Sequence, residues 1–418
     1  MRAVRPPASK WFSTLGYYAL FVCIGLSTAI LGPTLPDLAE RTGSSVASMG
    51  ALFVCGPAGY TLGTLLGSRL FDRVPGHALL GAAELFAAGC LFSFPLLRSF
   101  PLLLAIAFCR GVAEGLVNTG GNTLLLWTHG EKASPFMNGL HFCFGLGAFV
   151  APLLVARFAP SQGGFRFAYF AVAAFAALSG LFMLTLRHEP DPREHARTAT
   201  TAHPRAGAGA YALIGMAAVF LFAYVGAEIS FGSWLYTYAL SLGLASAAGA
   251  AYLSSAFWFS FTVGRAVSIP VALRFTPRQV IPTAIAACLA LSGLLCLLPP
   301  NPGLLWAVAM GLGFFMAPLW PSGYTLAGQV IAMTASASGL VLLGDSLGVM
   351  VLPSLTGKVM EWTGPEGLSR SLPLLVLGAL AVCLLAFLSL LGLARRLGRP
   401  NLADGGRRSF AHGREEEL

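Results

Sequence analysis

The chain has 418 residues, of which 56% are hydrophobic and only 10% charged. A soluble core of that size needs a far more polar surface, so composition excludes a soluble protein. The net charge of +9 requires no nucleic acid, because the basic residues fall where a membrane protein places its topology determinants.

Stretches such as Tyr17 to Leu31, Ala286 to Leu298 and Leu372 to Leu393 run almost without charge. A helix needs about 20 mostly apolar residues to cross a hydrocarbon core of about 30 Å. Hydropathy breaks and turn residues place spans near 11–32, 46–67, 77–97, 101–127, 135–157 and 164–187. A polar stretch from His188 to Ala208, with Pro190, Pro192 and Pro204, reads as a linker. Six more spans follow near 209–239, 247–271, 279–298, 303–328, 332–356 and 371–394. The expected organisation is an all-α membrane protein: a six-helix half over 1–187, a cytoplasmic linker over 188–208, a second half over 209–396, and a polar tail over 397–418 expected to be disordered.

Cytoplasmic loops carry the excess of Lys and Arg. With the N-terminus inside, eighteen of the 26 basic residues fall on the cytoplasmic side, among them Arg2, Lys10, Arg73, Lys132 and Arg278. Six fall outside: Arg41, Arg98, Arg157, Arg166, Lys358 and Arg370. Arg110 and Arg265 lie within spans. Both termini are therefore expected in the cytoplasm of a cell with the protein in its plasma (inner) membrane. The basic start leads into a full-length first span with no small-residue cleavage site, so the first helix is expected to be retained. All eight cysteines fall in apolar spans without a CxxC pair and read as small core residues. No Walker-type loop, GxGxxG or metal-ligand spacing is present, and no nucleophile and base constellation points to an enzyme.

The two halves share a repeat. Leu146-Gly147 with Pro152 and Leu154 recurs as Leu347-Gly348 with Pro353 and Leu355. One span earlier, Gly121, Thr123 and Leu124 recur as Gly323, Thr325 and Leu326. The offsets, about 201 and 202, are close to half of 418. They pair spans five with eleven and four with ten, as expected for halves related about the membrane normal.

Ionisable residues inside spans carry the functional signal, since each costs about 2.5–3.5 kcal/mol at the bilayer centre on insertion scales. They are Glu84, Arg110, Glu114, His141, Glu228, Arg265 and Asp345. In span four, Arg110, Glu114, Asn118 and Asn122 recur every four residues and form one polar stripe. The stripe reads either as a structural Arg110–Glu114 ion pair with interhelical amide bonds, or as a proton-exchanging Glu114 with two amides for a hydroxyl-rich solute. In span seven Glu228 sits with Tyr224, Phe231 and Leu235. Trp234 and Tyr238 lie nearby, as sugar-stacking rings or as an interfacial belt. Span ten adds Phe314, Phe315, Trp320 and Tyr324, with Pro318 and Pro321 marking a bend. Asp345, among Gly344, Ser346 and Gly348, is expected to face an Arg across the bundle. Arg265 reads as structural or snorkelling, His141 as a hydrogen-bonded core histidine or a proton relay, and Glu84, about two turns inside span three, as able to reach the cytoplasmic interface.

These residues resemble a known group. Gly32-Pro33-Thr34-Leu35, Asn118-Thr119-Gly120-Gly121-Asn122, Pro135-Phe136-Met137, His141 to Gly147 running to Ala151-Pro152, Tyr224 to Glu228, and Gly264-Arg265 look like the sodium-dependent glucose transporter-like branch of the major facilitator superfamily. That branch is similar in turn to the fucose:proton symporters. The resemblance covers residues 12–360 and implies a monosaccharide moved by alternating access with a coupling cation. It departs at Asn118, where the family usually carries an acid; Glu114 lies one turn earlier on the same face. The acid that fucose permeases use in span one is also missing. The superfamily loop after span two keeps Asp72 and Arg73 but has Ser68 and Pro75 where glycines are usual.

The expected function is secondary active transport of a small polar solute. Substrate contacts are expected from Asn118, Asn122, Glu228, Trp234, Phe314 and Tyr324. Proton or sodium coupling is expected at Glu114, Glu228 and Asp345, and structural or gating charges at Arg110, His141, Arg265, Asp72 and Arg73. No cofactor beyond the coupling ion is expected, and the protein is expected to work as a monomer in the bilayer. The rival readings are a proton-coupled exporter of drugs or secondary metabolites, and a membrane receptor that binds a solute without moving it.

Overall fold

The computed structural model describes residues 7–71, 73–130, 133–159, 161, 164–186, 208–331 and 335–397. The expected linker and C-terminal tail therefore lie almost entirely outside the described residues, as do Asp72 and Lys132. Every described element is helical. In chain order they are α1 (Pro7–Thr42), α2 (Leu52–Leu70), α3 (Gly76–Ser93), α4 (Phe100–His129), α5 (Ala133–Phe158), α6 (Phe165–Thr185), α7 (Ala208–Ser241), α8 (Ala247–Arg274), α9 (Pro277–Leu297), α10 (Pro302–Met316), α11 (Leu319–Val330), α12 (Ala335–Trp362) and α13 (Gly364–Arg396). Short 3-10 turns, Ala47–Ala51 and Phe94–Leu96, precede α2 and follow α3.

These helices make twelve spans long and apolar enough to cross a membrane. The tenth combines α10 and α11, which part at Ala317-Pro318, the bend expected from the proline. The first span is longer than expected: α1 continues to Thr42 through Pro33 and Pro36. Proline is tolerated in membrane helices where neighbours and hydroxyls satisfy the backbone, and Thr34 Oγ1 caps the carbonyls of Ile30 and Leu31 here.

The packing is two-fold. In the first half α1 lies on α5, α2 on α4 and α3 on α6; in the second, α7 lies on α12, α8 on α10 and α9 on α13. The repeated glycines make this possible, because helices approach closely in lipid where side chains are small. A Cβ on Gly147 would collide with the carbonyl oxygen of Val22 in α1, and one on Gly348 with that of Phe222 in α7. Gly121 is likewise covered by the Phe21 ring and Gly323 by the Phe220 ring.

With the end where α1 starts called the near end, the halves meet mostly in the far part of the bundle. Gly32 of α1 lies against the main chain of Ser233 in α7. Ser354 Oγ of α12 donates to Gly50 O at 2.8 Å. Trp234 packs on Phe53 across the halves, ring centroids 6.2 Å apart. On the other flank α5 meets α8, where Ser255 Oγ donates to Phe149 O at 2.8 Å and Gly145 lies against Thr262. The contacts between the halves thus gather in the far part of the bundle and close it there.

Candidate functional site

Helix α4 carries the polar stripe, and its upper part is already paired. Arg110 Nη1 donates to Glu114 Oε1 at 3.0 Å. Ser27 of α1 joins them: its Oγ donates to Glu114 Oε1 at 2.5 Å and accepts from Arg110 Nη1. Arg110 also donates to Ser27 O at 3.2 Å and lies over the Phe94 ring, 5.7 Å from its centroid. Both charges are buried. A buried guanidinium and carboxylate need each other, because either alone would be an uncompensated charge in low dielectric. Ser27 gives no periodic or charge signal in the sequence; only the packing of α1 on α4 shows its part.

Below the pair, Asn118 and Asn122 are half-buried. Asn122 Nδ2 donates to Asn118 O at 2.8 Å, with Asn118 Oδ1 3.4 Å away. The α4 backbone thus fixes the second amide, while the donors of the first have no acceptor among the described residues.

The second half contributes two carboxylates held by neutral donors. Tyr224 Oη donates to Glu228 Oε2 one turn along α7; both residues are buried. Trp320 Nε1 of α11 donates to Asp345 Oδ1 of α12 at 2.9 Å. The Trp320 ring stacks on Tyr324, centroids 5.4 Å apart and planes within 9°. Arg265 of α8 interacts electrostatically with Glu228, with Asp345, and with His141 of the other half. Its guanidinium lies 4.7 Å from the Phe261 ring, and its Nε has no acceptor among the described residues. It therefore stays at the cavity and does not snorkel. Tyr60 of α2 packs against α4 at Gly115 and lies within electrostatic range of both Glu114 and Asp345. Tyr60 went unnoticed in the sequence because a tyrosine in a membrane helix carries no charge.

Several expectations need correction. His141 is exposed and meets the Phe21 edge at 5.9 Å, so it is not a core histidine. Glu84 is 2% exposed and does not reach an interface; it lies beside Cys23 of α1, within electrostatic range of Glu114. Trp234 and Tyr238 are no lipid-facing belt, being 1% and 0% exposed. Trp234 Nε1 donates to Pro353 O at 2.9 Å and Tyr238 Oη to Ser369 O at 2.6 Å. The structure thus puts Trp234 in the far-end seal, apart from the amide pair. Phe314 is apart as well: it lines a pocket of about 350 Å³ between α8, α9 and α10, with Val267, Val271, Phe315 and Pro318. That pocket is apolar and contains none of the carboxylates, so the polar cavity is the candidate site. Arg73 is exposed in the turn after α2, and Asp72 lies outside the described residues.

The arrangement combines two amides and one acid–base pair on α4 of the first half with two carboxylates, a cation and stacked rings in the second. It can hydrogen-bond a neutral polyol, stack on its apolar face and exchange a cation at a carboxylate.

The model of the Major Facilitator Superfamily matches residues 17–310. Sodium-dependent glucose transporter 1 of Xenopus laevis is 32% identical over 380 residues, covering 85% of this chain and 76% of that protein. Sodium-dependent glucose transporter 1A of Mus musculus is 31% identical, covering 81% and 88%. In fold, the chain is similar to a bacterial homolog of the human lysosomal transporter Spinster, solved inward-facing and unoccupied. The TM-score is 0.72 at 14% identity, over 94% of this chain and 98% of that one.

Proposed function

The chain belongs to the major facilitator superfamily of transporters, and from that premise we propose that it moves a monosaccharide by alternating access, driven by a coupling proton or sodium ion. What supports this reading is the pairing of a half-buried Asn118, whose amide donors have no acceptor among the described residues, with the carboxylates Glu228 and Asp345 and the Trp320–Tyr324 stack in the second half. Amides and carboxylates bind sugar hydroxyls, and aromatic faces cover the apolar side of a sugar ring. The similarity to sodium-dependent glucose transporters supports the same substrate class.

In this reading the near end is cytoplasmic, as the excess of Lys and Arg there supports, both termini lie inside, and the structure is the inward-open state in the plasma membrane. The halves rock about the cavity so that the far-end seal and a near-end seal alternate. Glu114 already has a guanidinium partner, which makes it a poor ion site. Among the described residues Glu228 and Asp345 are hydrogen-bonded by a phenol and an indole, and a cation arriving at either would compete with Arg265. Cation binding then biases the equilibrium between the two states.

The test is uptake of labelled glucose and fucose by the purified protein in liposomes, under a proton gradient, a sodium gradient or neither. Accumulation under one gradient establishes a symporter and names its ion; equilibration alone means an uncoupled carrier. No movement of either sugar under any condition sinks the proposal and favours an exporter.

A further inference from the structure

Three arginines gather at the far end of the first half. Arg41 is in the last turn of α1, Arg98 in the connection between α3 and α4, and Arg166 in the first turn of α6. Both Arg98 and Arg166 interact electrostatically with Arg41. The side chains are fixed in part by the fold: Arg41 Nη2 donates to Leu96 O at 3.0 Å, tying α1 to the turn after α3, and that turn packs on α6.

Among the described residues none of the three arginines has an acid within ion-pairing distance. Asp37 and Glu40, near the end of α1, form no ion pair with them among the described residues. The Nε atoms of Arg41 and Arg166 are buried and have no acceptor among the described residues. Two helices also begin here without a side-chain cap or an acid in the first turn, α4 after Ser99 and α6 after Gly164. Their free N–H groups add positive potential to the same region.

Like charges held together beside uncapped helix starts repel, and the repulsion is relieved by an oxyanion that accepts from several guanidinium donors at once. We propose that Arg41, Arg98 and Arg166 form a binding site for a phosphate group on the far face of the first half, separate from the central cavity. Its two sources are a phospholipid headgroup in the adjoining leaflet and a soluble phosphate. Each would pin the ends of α1, α3 and α6 to one another. The site does not depend on the identity of the transported solute.

The experiment is thermal unfolding of the purified full chain in detergent. Inorganic phosphate is titrated against sodium chloride at matched ionic strength, and phosphatidylglycerol is titrated against phosphatidylcholine. A saturable rise in Tm with phosphate assigns a soluble anion, and a rise with phosphatidylglycerol alone assigns a headgroup. In either case Arg98→Gln, on an exposed loop, should raise the half-saturating concentration about tenfold, the loss of one charge-assisted contact. Arg166→Gln should do the same. Absence of a saturable rise with both ligands in the unsubstituted protein overturns the proposal, as does an equal response in Arg98→Gln.

Discussion

Arg110 and Glu114, one turn apart on α4, form their ion pair around a hydroxyl from another helix, since Ser27 Oγ of α1 bonds to both. The pair therefore pins α1 to α4. Its energetic weight lies in mutual dependence, because a buried charge left without its partner is strongly unfavourable. Arg110→Met alone and Glu114→Met alone should each destabilise the protein by about 3–5 kcal/mol, while the double variant should recover most of the loss. Thermal unfolding in detergent across this double-mutant cycle checks the prediction; additive losses would mean that the two side chains act independently.

Glu228 accepts from Tyr224 and has no cation at pairing distance among the described residues. Glu228→Gln keeps the shape and removes the exchangeable charge. Gradient-driven accumulation in liposomes should fall to simple equilibration, with exchange of internal for external sugar retained. If accumulation persists unchanged, the coupling ion binds elsewhere. The same assay on Glu114→Gln separates the two carboxylates.

The two amides of α4 should differ in weight. Asn122 spends a donor on the Asn118 carbonyl, whereas the Asn118 donors have no acceptor among the described residues. Asn118→Ala should raise KM for the sugar about tenfold, the loss of one to two hydrogen bonds, and Asn122→Ala less. Initial uptake rates over a concentration series decide this, and an unchanged KM in Asn118→Ala would remove it from the binding site.

Closure of the far end depends on Gly32. A Cβ there would stand 2.6 Å from the Ser233 carbonyl oxygen, so Gly32→Val forces α1 and α7 apart. Spin labels on Glu40 and Ser241, at the far ends of these helices, should show a longer distance in the variant, with the near end correspondingly closed. An unaltered distance distribution would show that the seal tolerates the side chain.

The fold was largely legible in the residues because lipid imposes a simple rule. Twelve apolar runs of spanning length cannot be anything but helices when every backbone group must be satisfied internally. The Leu146-Gly147 and Leu347-Gly348 repeat also pointed to two related halves, and the structure shows why it exists: Gly147 and Gly348 each let a backbone approach the first helix of its own half. Spacing on one helix was equally readable, so the Arg110–Glu114 pair follows from four-residue steps along α4, whereas Asn122 bonds the Asn118 carbonyl of its own helix in place of the expected interhelical amide bond.

What one helix presents to another was not readable. Ser27 and Tyr60 carry no charge and no period, so their places beside Glu114 emerge only when α1 and α2 pack on α4. Trp234 looked like a sugar platform or an interfacial ring, and packing made it part of the far-end seal. His141 looked like a core residue, and the packing of the helices left it exposed. Burial and hydropathy are local properties of a chain in lipid and can be read along it. Which end of the cavity is shut depends on contacts between residues about 200 positions or more apart, such as Gly32 with Ser233 and Gly50 with Ser354. Those contacts differ between states of one sequence, so only the tertiary structure decides them.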